Sequence, residues 1–248
     1  MADNLRVHEI YASIQGESTF AGLPCVFVRL TACNLRCSYC DTAYAFAGGS
    51  VLEIPQVLQE VQRLAQSFAS TPRLPQPAVR LPLVELTGGE PLLQPGALPL
   101  MTALCDRGFT VLVETSGALD IAPVDPRVHR IMDLKCPSSG EVHRNRLTNL
   151  AHLRATDEIK FVIGTHEDLA WARQIIVQER LAERCPLLFS WVHPLSPEQQ
   201  DPSLKRVPPG LTPISRQELV EAIMKDALPV RFQAQLHKIV WPPEQRGV

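Results

Sequence analysis

Three cysteines within eight residues, Cys33, Cys37 and Cys40 in CNLRCSYC, constrain this chain more than any other feature of it. They follow directly on Pro24–Leu30 (PCVFVRL), an apolar run that reads as a buried strand. Three thiolates in one short loop can reach three corners of a cubane 4Fe–4S cluster, in which each iron takes a tetrahedral, sulfur-rich environment. An iron left without a protein thiolate is open to an outside chelate. The competing reading is zinc, which normally takes four protein ligands and would here need an isolated Cys or His to complete the set. Three buried free thiols are a poorer reading, because Asn34, Arg36, Ser38 and Asp41 share the stretch and it is no core run. The remaining cysteines, Cys25, Cys105, Cys136 and Cys185, are scattered. A secreted disulfide framework would spread and pair its cysteines, so this clustering points to a reducing compartment.

The rest of the chain alternates short apolar runs with helical spacings. Ile54, Val57, Leu58, Val61, Leu64, Ala65 and Phe68 recur at helical spacing, with Pro55 in the first turn where its missing N–H does no harm. Strands are expected at Leu83–Leu86, Phe109–Val113, Arg130–Leu134, Glu158–Ile163 and Leu187–Val192. Helices are expected at Leu98–Cys105 and Glu167–Glu183. Ser215 and Glu218 form a capping box that opens a last helix to Ala227. Val230–Val240 reads as a final extended segment. Five or six strand–helix alternations predict a parallel α/β architecture, without choosing between a barrel and an open sheet. Two Pro-rich stretches, Ser70–Pro82 and Pro194–Pro213, interrupt the rhythm as loops. The alternation resumes after each, so residues 1–248 are expected to form a single domain.

Net charge excludes some partners. At −2, with 6% aromatic residues, the chain offers no basic field for nucleic acid. No apolar run of about 18 residues suggests a membrane span, and MADNLRVHEIY has no signal-peptide pattern. A cytoplasmic protein is expected.

CxxxCxxC after a first strand resembles the hallmark of the radical S-adenosylmethionine (SAM) superfamily. TGGEP at Thr87–Pro91, after the next strand, supports the resemblance. Glycines let backbone approach a ligand, and a strand-to-helix turn aims amides at a carboxylate. By itself a GG pair is more often a tight turn. The resemblance implies that SAM chelates the open iron, that Gly88 and Gly89 contact its methionyl part, and that Glu90 lies near its amino group.

The stretch EIYASIQGESTFAGLPCVFVRLTACNLRCSYCDT is similar to the 7-carboxy-7-deazaguanine synthases, radical SAM enzymes of 7-deazapurine (queuosine) biosynthesis. TGGEPLLQ, VLVETSG, DLKCPSSG, EIKFVI and QLHKIVWPP extend the likeness over nearly the whole chain. It implies an incomplete (β/α) barrel, a homodimer, a flavodoxin-type electron donor and three cofactors: the 4Fe–4S cluster, SAM and Mg²⁺. The substrate it implies is 6-carboxy-5,6,7,8-tetrahydropterin. A 5′-deoxyadenosyl radical would take hydrogen from C6, and the ring would contract with loss of ammonia. The cofactors carry the difficult chemistry, while the protein orients the pieces.

Residue roles follow from the same likeness. Thr42, in CDT with Asp41, would ligate Mg²⁺; from the residues alone a loop cap is the better reading. Arg29 stands in an apolar strand where a guanidinium is costly without a partner, so it would meet a substrate carboxylate or a structural salt bridge. Gln15, Gly16 and Glu17 would read the pterin from a turn, or form an ordinary solvated turn. Glu114, at a strand end, would accept N–H groups of the amino-pyrimidine edge. Thr87 and His237 complete the substrate set. Lys135 and Ser138 would approach the SAM ribose, although a solvated Lys and a helix-starting Ser would look the same. The chain continues past His237, which puts in doubt a terminal carboxylate at the substrate. An activase that makes a glycyl radical on a partner protein would share the cluster and GGE motifs but would not need the QGE, Arg29, CDT and Glu114 set.

Overall fold

The computed structural model describes residues 4–68 and 79–248. Nine strands form one mixed sheet in the order β3-β1-β2-β4-β5-β6-β7-β8-β9. The strands are β1 (Asn4–Ile14), β2 (Pro24–Leu30), β3 (Ser50–Glu53), β4 (Leu83–Gly88), β5 (Val111–Thr115), β6 (His129–Asp133), β7 (Glu158–Ile163), β8 (Leu187–Trp191) and β9 (Arg231–Gln233). From β2 through β9 every pairing is parallel. The expected parallel α/β pattern therefore holds for seven strands. It misses β1, which pairs antiparallel with β2 and β3. Most of β1 is only half-buried, so its side chains lack a clean apolar alternation.

Helix α1 (Ile54–Ala65) starts with a capping box between Glu53 and Gln56 and buries Val57, Leu58 and Val61. Each such burial contributes about 1.5–3 kcal/mol. Helix α2 (Ala97–Asp106) buries Leu100, Met101 and Leu104. Helix α3 (His166–Gln178) ends before Arg180, whose positive φ of 52° separates it from a 3₁₀ turn at Leu181–Glu183. The predicted helix over Glu167–Glu183 is thus two pieces. Helix α4 (Arg216–Lys225) carries the expected Ser215–Glu218 capping box.

Val230–Val240 is extended only at β9. The Leu236 N–H donates to the Gly16 carbonyl at 3.0 Å, and His237–Val240 then winds into one helical turn, α5. Of the first Pro-rich stretch, Ser70–Pro82, residues 70–78 lie outside the described residues. Residues 194–213 have no strand or α-helix, but carry a 3₁₀ turn at Pro197–Gln199 and an isolated β-bridge from Pro213 to Thr165.

The period-two alternation of strands sorts the sheet into two faces. One carries Val26, Val28, Val84, Leu86, Val111 and Val113 under α1 and α2. Ile159, Phe161, Ile163, Leu187 and Phe189 lie under α3 and α4. Opposite, Phe20, Cys25, Phe27, Leu83, Leu112 and Ile131 seal the end of the other face nearest the strand starts. Continuing along the same face toward the strand C-termini, the alternation reaches Arg29, Glu85, Thr87, Glu114, Asp133, Lys160 and Ser190. Every one of these lines a single cavity. No helix among the described residues is long and apolar enough to cross a membrane.

Candidate active site

The cavity holds about 480 Å³, a volume that fits a small organic ligand. Its rim and floor bring together all but two of the residues singled out from the sequence. Cys33, Cys37, Cys40, Thr42, Gly88, Gly89 and Lys135 line it, as do Gln15, Gly16, Glu17, Arg29, Thr87, Glu114 and His237. Glu90 and Ser138 do not.

The cysteine loop leaves β2 through Ala32, whose φ of 79° turns the chain sharply. It is then pinned to the segment after β6. Ser38 Oγ donates to the Ser138 carbonyl at 2.7 Å, Ser38 N–H to the Ser139 carbonyl at 3.1 Å, and Arg36 N–H to Glu141 at 2.8 Å. Leu35, almost fully buried, anchors the loop from inside. The three cysteines are unpaired thiols. Burial pushes each thiol up, Cys40 to about 12, so binding of iron would have to displace their protons. No three His, Cys, Asp or Glu side chains among the described residues converge as a single ion requires. A cubane spreads its thiolates over separate corners, so this donor set fits the cluster better than zinc.

The glycines of TGGEP serve a purpose that the motif alone does not reveal. A Cβ on Gly88 would lie 2.2 Å from the Leu30 carbonyl oxygen, and one on Gly89 would lie 2.1 Å from that of Ala32. Their absence of side chains lets β4 pass against the entry of the cysteine loop. Glu90 is turned away from the cavity and fully buried. Its carboxylate accepts hydrogen bonds from Leu92 N–H, Thr115 Oγ1, Ser116 N–H and Ser116 Oγ, tying the loop after β4 to the end of β5. Ser138 faces a second cavity, shared with Ser38, Tyr39 and the 192–213 segment. Its N–H donates to Asp168 at 2.7 Å and its buried Oγ has no protein partner.

Thr42 precedes the 3₁₀ turn Ala43–Phe46 but does not cap it; its Oγ1 donates instead to Asp41 at 2.9 Å. Burial opposes ionisation of Asp41, yet the Lys238 ammonium beside it holds the carboxyl well below its usual range. Arg29 has a structural partner within the protein. Its Nε donates to Glu9 at 2.7 Å and its Nη2 to Tyr11 at 2.8 Å, and the guanidinium still borders the cavity. Gln15 is buried, so QGE is no solvated turn. His237 packs over Gly16, where a Cβ would meet its Nδ1 at 2.4 Å. Lys135 is not solvated either, being paired with Asp133 at 2.7 Å.

Three ionisable groups on the cavity floor are absent from the set expected from the sequence: Glu85, Asp133 and Lys160. The signal was present, since each interrupts an apolar strand just as Arg29 does. Gln15 Nε2 donates to Glu85. Burial, reinforced by the nearby Glu114, pushes the Glu85 carboxyl far up and keeps it protonated. A carboxyl raised in the folded state contributes stability below its unfolded pKa of about 4.3, and that contribution fades as pH rises toward the folded value. Glu85→Gln is therefore expected to gain on the wild type, by up to about 1.4 kcal/mol per pH unit above that point. Glu85→Ala leaves the buried Gln15 Nε2 donor unpartnered and costs about 1–3 kcal/mol. Urea midpoints across pH check both; a difference between Glu85→Gln and wild type that is flat with pH contradicts the protonated assignment.

With this geometry in place, comparison with known proteins is decisive at the level of family. No family model matches the chain. The 7-carboxy-7-deazaguanine synthase of Chlorobaculum tepidum is 40% identical over 247 residues, covering 98% of this chain and 97% of that protein. The chain belongs to the 7-carboxy-7-deazaguanine synthase family. The Koribacter versatilis synthase is likewise 40% identical over 251 residues, covering 98% of this chain and 100% of its own. Among solved structures, QueE from Escherichia coli shares the fold with a TM-score of 0.64 at 19% identity, over 94% of this chain and 95% of that one. Streptococcus suis SuiB bound to S-adenosylmethionine matches at a TM-score of 0.53 and 10% identity, over 86% of this chain and 50% of that one. The cavity itself lies at the strand C-termini, where parallel α/β folds build their sites.

Proposed function

We propose that this chain is an enzyme that converts 6-carboxy-5,6,7,8-tetrahydropterin to 7-carboxy-7-deazaguanine with loss of ammonia. Near-full-length identity of 40% to proteins of that activity carries the reading. The open sheet fits the partial (β/α) barrel of radical SAM proteins. Cys33, Cys37 and Cys40 would hold the 4Fe–4S cluster, and Gly88, Gly89 and Lys135 would border SAM. When bound, the cluster and SAM supply the one-electron chemistry that starts the reaction. Thr42 and Asp41 offer the oxygen donors that suit Mg²⁺.

The protein's own groups position the substrate and exclude water. Arg29, oriented by Glu9 and Tyr11, presents positive charge to a carboxylate. Glu17 and Glu114 present acceptors to a ring edge that carries N–H groups. The Glu17 carboxyl, opposed by burial but held by Lys160 and Gln235, is lowered to about 2 and stays ionised. His237, Lys238 and Arg246 bring the C-terminal segment over the cavity, with the Arg246 guanidinium 4.1 Å from the Tyr44 ring centre. A homodimer and a flavodoxin-type donor belong to the same reading. An activase is not favoured, because relatives over the whole chain carry the synthase name.

The test is mass spectrometry of an anaerobic reaction of reconstituted protein with reductant, SAM, Mg²⁺ and 6-carboxytetrahydropterin. 7-Carboxy-7-deazaguanine should form without stoichiometric loss of SAM. Release of 5′-deoxyadenosine with no deazapurine would move the substrate elsewhere. Thr42→Ala is expected to bind SAM normally while turnover loses its response to Mg²⁺. An unchanged Mg²⁺ titration in that variant removes Thr42 from the metal site.

A further inference from the structure

Lys160 lines the cavity floor, and beyond holding Glu17 ionised it has no part in the substrate reading above. Its side chain is 6% exposed, and Nζ donates to Glu17 at 2.9 Å and to Glu114. The two carboxylates arrive from distant parts of the chain, one from the turn after β1 and the other from the end of β5. Carboxylates gathered in one buried site cannot all ionise without a cation, and the unpaired one takes a proton.

We propose, resting on the pterin reading, that Lys160 is a positioning residue that fixes Glu17 and Glu114 as two ionised acceptors. It thereby makes the site select a ring edge bearing an amino group over the same edge bearing a carbonyl. An ionised carboxylate only accepts hydrogen bonds, so it pairs with an amino group and repels a carbonyl. A protonated carboxyl can donate to that carbonyl, which reverses the preference.

The surroundings make Lys160 the cation that matters for Glu114. Glu85 on β4 is neutral and adds no attraction. Asp133 on β6 has one oxygen committed to Lys135 and the other unpartnered. Arg29 on β2 is engaged by Glu9, and His237 faces Glu17 rather than Glu114. Burial works to strip the proton from Lys160, but Glu114 and Glu17 hold it firmly in place. For Glu114 burial pushes the carboxyl up, and it stays raised although Lys160 opposes the shift. Glu17 keeps a second donor, Gln235 at 2.7 Å, so loss of Lys160 falls mainly on Glu114.

The experiment is fluorescence titration of the reconstituted protein with 6-carboxypterin, which carries the 2-amino group, and with 6-carboxylumazine, which has a carbonyl there. Wild type, K160R and K160Q are compared between about pH 6 and 7.5. Wild type is expected to prefer the amino ring by at least about tenfold, at a ratio constant with pH. K160R should keep that preference. K160Q should lose it at the acid end and recover part of it as pH rises and Glu114 ionises. A merely structural lysine would weaken both rings alike, so an unchanged ratio in K160Q overturns the proposal. If K160Q does not fold, the wild-type pH series decides, because a ratio that drifts with pH shows Glu114 titrating despite the lysine. Wild type that binds both rings equally overturns the selection. Wild type that binds neither overturns the pterin reading itself.

Discussion

Cys33→Ala, Cys37→Ala and Cys40→Ala are each expected to abolish cluster assembly, read as loss of iron, sulfide and the cluster's visible absorption. Cys105→Ala and Cys185→Ala should assemble normally. The difference is one of place. The first three thiols stand on one cavity wall, in a loop held rigidly by Leu35 and by hydrogen bonds to Ser138, Ser139 and Glu141. Cys105 lies on α2, packed against the core, and Cys185 lies in the core under α3; neither borders the cavity. A cubane that already lacks one protein ligand has no substitute for a second. Normal iron in any of the first three variants would defeat the assignment, and with it the cofactor on which the proposed reaction depends.

Glu90→Ala is expected to destabilise the fold by about 3–5 kcal/mol. The carboxylate is completely buried and accepts from two backbone N–H groups and two hydroxyls. Alanine would leave all four donors without a partner in a site closed to water. Each unsatisfied buried donor costs about 1–3 kcal/mol, reduced in sum because neighbours relax together. Denaturant midpoints should fall sharply in Glu90→Ala and less in Glu90→Gln, which keeps one carbonyl acceptor. SAM affinity measured well below the melting range separates this role from ligand contact. If Glu90→Ala keeps its midpoint but loses SAM, the side chain reaches the cofactor and the buried knot is not its function.

Much of the site was legible because chemistry confined to a few adjacent residues leaves a local trace. CNLRCSYC stands out through the spacing of its cysteines, and TGGEP as a glycine turn, although only the structure shows that its glycines pass the cysteine loop. Strand positions β2 and β4 to β8 followed from apolar runs that must be buried wherever they lie, whereas β3, a short and largely exposed edge strand, was missed. Strand β1 was missed because an antiparallel strand with half-buried side chains carries little periodic signal. The buried partners of the Glu90 side chain were not legible, because Thr115 and Ser116 lie 25 and 26 residues away.

Sequence by itself determined the cysteine loop, the alternation of strands and helices, and which residues share a strand face. These depend on interactions within a few residues: thiolate spacing, capping boxes and the two-residue period of a strand. Only the tertiary structure decided the partners of the charges. Lys160 meets Glu17 across 143 residues, and Lys238 meets Asp41 across 197. Sheet order and the path of the C-terminal segment bring those groups together. A buried charge announces in the sequence that it needs a partner, but long-range packing chooses which one.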